Sequence, residues 1–201
     1  MAVLALRDPS PAALTPAGTV TPDATEDPST PPFEEPHDVP ALEALLPTAL
    51  AGTALQSQSW DGTTFLTDDA WSASINAFLT KAGKSPADFQ VAQAFDPEQA
   101  VETGVSVYRV TGAKADAVLD ALIAAWKGDD PEMTVSKVTL DGKAMTKAGF
   151  GADTPSSYLF IRDDVVFDIE AVDDKVAIAV LAALRAPGAP ASPAASASLT
   201  P

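Results

Sequence analysis

Proline decides where this chain can build a core. Nine of the 18 prolines fall in residues 1–40 and four more in 186–201, leaving five for the stretch between. Proline fixes φ and lacks an N–H, so a dense run of it resists both helix and sheet. The first block also carries seven acids, one base and much Thr. So little apolar surface cannot offset chain entropy, and such a segment is expected to be disordered and partly extended. The expected organisation is a disordered acidic tail over 1–40, a single domain over 41–185 and a disordered Ala/Pro/Ser-rich tail over 186–201. A domain of that length can hide roughly two-thirds of its unfolded surface.

Within 41–185, periodicity and turn chemistry give the elements. Leu42, Leu45 and Leu46 make one helical turn stopped near Pro47. Thr53–Trp60 reads as a strand ended by the Asp61-Gly62 turn signal. Trp71, Ile75, Phe78, Leu79 and Ala82 form one helix face, with Thr67 or Asp68 as its N-cap and Gly83 as its end. Ser85-Pro86-Ala87-Asp88 has the form of a capping box, and Phe89–Phe95 and Val105–Val110 read as strands. Val118, Leu119, Leu122, Ile123 and Trp126 stripe a helix over Lys114–Lys127, stopped by Gly128. Asp141-Gly142 joins two strands as a hairpin, and Asp163-Asp164 joins two more. Val176, Val180, Leu181 and Leu184 close the domain with a helix capped by Asp173 or Asp174. The predicted fold is α+β, a mainly antiparallel sheet with helices packed on one face. Ser106, Tyr108, Lys137 and Thr139 are expected on the opposite, wet face.

Composition removes whole classes of chemistry. The chain has no cysteine, so thiol nucleophiles, disulfides, iron–sulfur clusters and zinc–thiolate sites are excluded. His37 is the only histidine, and its Pro-rich setting argues against a rigidly held catalytic base. A net charge of −16 argues against nucleic acid and against anionic membrane surfaces. No GxSxG, SxxK, Walker or GxGxxG motif occurs. No DxDxDG loop is present, and the four Asp pairs fall at predicted caps and turns, so no metal or other cofactor is expected. No apolar run reaches the ~20 residues of a membrane helix. The apolar run at Met1–Leu6 is shorter than the roughly 7–15 residues of a secretory signal core. It has the form of the trailing end of such a segment, which sets two alternatives. The setting is extracytoplasmic if a signal lies upstream, and cytoplasmic otherwise.

Several stretches together resemble a known type of domain. They are LEALLP at Leu42–Pro47, GKSPADF at Gly83–Phe89, VYRVTG at Val107–Gly112, Asp141-Gly142-Lys143 and SYLFIRDDVVF at Ser157–Phe167. The chain is similar over most of 42–185 to an uncharacterised α+β domain of predicted secreted proteins and lipoproteins from high-GC actinobacteria and related phyla. The resemblance implies a bacterial protein of the cell envelope or exterior. It implies no activity and transfers no functional residue. This chain lacks the full signal segment and the lipid-accepting cysteine of such proteins.

Four residues stand out as site candidates. Asp168 and Glu170 share one strand face, expected opposite Arg162, and are the candidate catalytic carboxylates. A solvated strand face is the plainer account of them. Trp60 ends a polar strand and is the candidate exposed recognition aromatic, with Tyr108 as a second ligand-binding candidate. Two functions follow from different classes. The first is a non-enzymatic domain that binds a small ligand or a protein. The second is a carboxylate-dependent hydrolase or isomerase with neither metal nor nucleophilic Ser or Cys.

Overall fold

The computed structural model of the protein describes residues 35–98, 103–152 and 154–184. The expected tails therefore lie outside the described residues, except for 35–40. In chain order the elements are α1 (Pro40–Glu43), β1 (Ala49–Leu50), β2 (Thr53–Ala54), β3 (Gln56–Asp61), α2 (Gly62–Phe65), α3 (Ala70–Lys81) and a 3₁₀ turn (Pro86–Asp88). There follow β4 (Phe89–Phe95), β5 (Thr103–Val110), α4 (Ala115–Asp129), β6 (Thr134–Leu140), β7 (Lys143–Gly149), β8 (Ser156–Arg162), β9 (Val165–Ala171) and α5 (Asp174–Ala183). The class is α+β, as the sequence pattern predicts.

Seven strands form one antiparallel sheet in the order β3-β4-β5-β9-β8-β7-β6. Its hairpins arise from local chemistry. Asp141 and Gly142 both take positive φ, 47° and 75°, which matches the twist of the flanking strands and fixes the β6–β7 register at Leu140↔Lys143. Asp163 takes φ 57° and turns β8 into β9 with Arg162↔Val165 closing the ladder.

The covering of the sheet departs from expectation. Alternate residues of each central strand feed two separate cores. Val91, Tyr108, Val166 and Leu159 pack with α3 and α4 on one face. Ala92, Val107, Phe167 and Phe160 pack with α1 and α5 on the other. Helices thus lie on both faces. Tyr108, expected in water, is buried beneath α3 and α4. Only Lys137 and Thr139, out on edge strand β6, keep the exposure assigned to them, while Ser106 is half-buried. A strand covered on both faces needs apolar side chains in both directions, and Val165-Val166-Phe167 supplies them.

Three smaller expectations are also corrected. The N-cap of α3 is Asp69, whose carboxylate accepts from Ser72 N at 2.7 Å, not Thr67 or Asp68. α4 runs through Gly128 to Asp129. Asp61-Gly62 makes no turn; Asp61 caps α2, and Gly62 lies so close to the Pro86 carbonyl oxygen that a Cβ there would sit 2.3 Å from it.

The domain also begins before residue 41. Asp38 N donates to Ser59 O, and Ser59 N donates to Pro36 O, so residues 36–38 run parallel to edge strand β3. Val39 is buried and its N–H donates to Ser59 Oγ. His37 is correspondingly held: Nδ1 lies 3.0 Å from Glu43 Oε1, and the Ser59 hydroxyl donates to the same oxygen. Glu43 therefore stands between Ser59 and His37. A nucleophile–base pair needs the imidazole in that middle place, so the trio serves to fasten the segment to the sheet.

Candidate functional site

Strand register brings three of the four candidate residues together. Ser106 of β5 pairs with Asp168 of β9, and Gly104 with Glu170. Tyr108 follows Ser106 on the same face, and on the far side of β9 Ser157 pairs with Glu170. Gln93 of β4 extends the polar row, with Nε2 3.3 Å from Ser106 Oγ. The result is a polar patch on the α3/α4 side of the sheet. Asp168 and Glu170, two residues apart on one strand, have Cα atoms roughly 7 Å apart.

The two carboxylates meet different surroundings. Asp168 is only 7% exposed, against the solvated face expected for it, while Glu170 reaches the surface. Burial pushes Asp168 up to about 7, with the Glu170 charge adding to the rise and a Ser157 hydrogen bond opposing it. Partial loss of solvent around its carboxyl also raises Glu170. Tyr108 is raised first by burial and then by the Asp168 charge. Asp168 Oδ1 has no hydrogen-bond partner among the described residues. The expected counter-charge is not there. Arg162 alternates onto the opposite face, where its guanidinium lies over Phe167.

Trp60 is separate from this group. It shares the face through the row Trp60↔Val91↔Tyr108, but its ring packs 5.5 Å from Phe65. It is half-buried at the margin of an aromatic cluster that includes Phe65, Trp71 and Phe89.

A cleft lies elsewhere, and no motif marks it. β6 and β7 pair along their full length, as do β8 and β9. Between the two hairpins only Thr146↔Leu159, Lys147↔Tyr158 and Ala148↔Ser157 pair. Toward the turns the hairpins part, leaving the facing edges at 143–145 and 160–162 without a strand partner. A cavity of about 460 Å³ opens there. Ala144, Met145, Phe160 and Ile161 line its strand walls, and Asp116 and Leu119 of α4 its side. Lys137 Nζ donates to Thr146 Oγ1 at 2.7 Å in the same wall. The cleft holds one acid and one base, and the Asp168–Glu170 pair does not line it. A sequence shows which strands are joined by turns; it does not show how far two hairpins stay side by side.

No helix among the described residues is long and apolar enough to cross a membrane. No family model, curated protein or solved structure matches the chain.

Proposed function

We propose that this domain is a non-enzymatic binding module that receives a small ligand, or a short extended segment of a protein, in the cleft between its two hairpins. The parting of β7 from β8 carries this reading. It supplies a cavity in the usual size range for ligand sites, apolar walls, and strand edges able to donate and accept main-chain hydrogen bonds. Asp116 and Lys137 provide the few polar groups that orient a ligand in such a site. Under this reading, the resemblance to domains of secreted bacterial proteins would place capture outside the cytoplasm.

Thermal unfolding of the full chain against a panel of sugars, nucleotides, lipids and extended peptides tests it. A ligand at about 100 times its dissociation constant should stabilise the fold by roughly 2.7 kcal/mol, a shift of several degrees. Ala144→Trp fills the cleft from an exposed position and should abolish that shift while leaving the unliganded transition in place. A ligand whose effect survives Ala144→Trp binds elsewhere and sinks the assignment.

The carboxylate-dependent hydrolase or isomerase is the second reading. One observation favours it: Asp168 holds its proton to about pH 7 beside a second carboxylate, as a general acid does.

A further inference from the structure

A second cavity lies at the end of the β6–β7 hairpin away from its turn. Its volume is about 400 Å³, within the usual range for ligand sites. Strand register builds its floor. Thr134 of β6 pairs with Gly149 of β7, and the Ala148↔Ser157 pair brings Ser156 of β8 to the other side of Gly149. The three residues run in a row across neighbouring strands, on the face that Met145 and Tyr158 share with α1 and α5. Gly149 makes the row a hollow. A Cβ there would sit 2.9 Å from Thr134 Oγ1 and 3.9 Å from Ser156 Oγ, so two hydroxyls flank the space the missing side chain leaves. Gly149 has no positive φ, so its backbone does not demand glycine. A strand glycine of that kind marks a close approach from outside the sheet.

The walls carry both donors and acceptors. Lys147 stands two residues before Gly149 on the same face of β7 and lines the cavity. Its ammonium lies 4.8 Å over the Tyr158 ring, and Asp174 Oδ1, at 3.0 Å, takes one of its three N–H groups. Asp130 and Glu132 come from the loop between α4 and β6. Asp130 Oδ1 accepts from Glu132 N at 3.0 Å, which fixes that loop. The Ser156 hydroxyl and the Glu132 carboxylate have no hydrogen-bond partner among the described residues. Phe150, half-buried with its ring edge-to-face against Trp126 at 6.0 Å, adds an apolar wall.

This mixture selects a class of ligand. A phosphate or carboxylate would face two carboxylates. A metal ion would face the Lys147 ammonium, and no cluster of three or more metal-ligating side chains exists among the described residues. A wholly apolar ligand would strip water from these polar groups and return no hydrogen bonds. A hydroxyl both donates and accepts. A sugar ring carries several side by side, with a C–H face that suits an aromatic wall.

We infer that the cavity over Gly149 is a carbohydrate site that takes one neutral sugar ring, whose hydroxyls donate to Asp130 and Glu132 and accept from Lys147 and Ser156. The site is independent of the cleft reading. The cleft and this cavity share no lining residue, and either can fail alone.

The test is ¹H–¹⁵N amide spectroscopy of the full chain. D-glucose, D-galactose, D-mannose and N-acetyl-D-glucosamine are titrated separately, with sodium phosphate, calcium chloride and spermidine as charged references. The expected result is a saturable shift of the Gly149 and Ser156 amide peaks with at least one sugar, and none with the references. Glu132→Ala should weaken that binding about tenfold, the effect of losing a hydrogen bond to a charged group, and Ser156→Ala about threefold. Gly149→Val fills the hollow and should abolish binding. Ala144→Trp, which blocks the cleft, should leave it unchanged. Glu132 is exposed and Ser156 half-buried, so their variants keep the test open if Gly149→Val does not fold. Silence toward all the sugars overturns the proposal, as do sugar shifts that survive both Glu132→Ala and Ser156→Ala. Shifts with calcium or spermidine alone also overturn it, since the cavity would then be an ordinary acidic surface.

Discussion

Asp168 shows how one residue can link stability to pH. In the folded protein its carboxyl keeps a proton up to about pH 7 because burial disfavours the anion. In the unfolded chain it ionises near 3.9. Between those values the native state holds one more proton than the unfolded state, so stability falls as pH rises. The full difference is at most about 4 kcal/mol, absent below pH 4 and complete above pH 7. Asp168→Asn removes the ionisation and nearly preserves the shape. Urea unfolding should find this variant more stable than the wild type at pH 8, by about 1–4 kcal/mol, with the gap closing toward pH 4. A gap independent of pH would mean that the carboxyl ionises freely in the fold. The same variant bears on the enzyme reading, since a hydrolase or isomerase that used this proton would lose its activity along with it.

Among the elements, the helix starts illustrate how far local chemistry reaches. Thr67, Asp68 and Asp69 are all suitable caps, and three adjacent candidates give no reason in the sequence to choose the last. The structure chooses by hydrogen bonds: Asp69 accepts from Ser72 N, from the Ser72 hydroxyl and from the Thr67 hydroxyl. The Ser72 N–H, with the Thr67 hydroxyl next, draws the Asp69 carboxyl below its ordinary range. Asp69→Ala should cost about 1–2 kcal/mol near neutral pH, and Asp68→Ala close to nothing. Because the folded carboxyl is the stronger acid, its contribution is present above the unfolded value and fades as pH falls through the folded one. Chemical denaturation at pH 7 and pH 3 checks both points. The strands were legible for a related reason: alternation and the Asp-Gly turn are local signals. Phe89–Phe95, expected as a strand, and the β6–β7 hairpin appear where the residues place them. The second helical layer was not legible, because α5 carries an apolar stripe that fits either face of a sheet. The clustering of Asp168, Glu170 and Tyr108 follows from the β5–β9 pairing of strands about sixty residues apart in the chain. That the two acids share one strand face is legible, since alternation sets it within a single strand. The place of Arg162 is not, because its face depends on the register across the β8–β9 turn.

For the whole molecule, the decisive fact is that two cores share one set of strands. Val165, Phe167 and Ile169 of β9 enter the core under α1 and α5, while Val166 between them enters the core under α3 and α4. Neither core can loosen without moving backbone that the other depends on. Leu122 of α4 and Val180 of α5 are both fully buried, one in each core. Leu122→Ala should cost about 2–5 kcal/mol, and Val180→Ala rather less because fewer methyl groups are lost. The denaturant slope should stay at its wild-type value in both, since the same surface is exposed on unfolding. Amide exchange provides the sharper reading. In either variant, protection along β9 should drop at Val166 and Phe167 alike, although the two side chains face opposite ways. Loss confined to alternate residues does not occur in a shared backbone. What would contradict the shared-strand account is Val180→Ala releasing α5 and the ladder edge while β5, β9 and α4 keep their wild-type protection. The α1/α5 layer would then be an accessory to a one-faced domain.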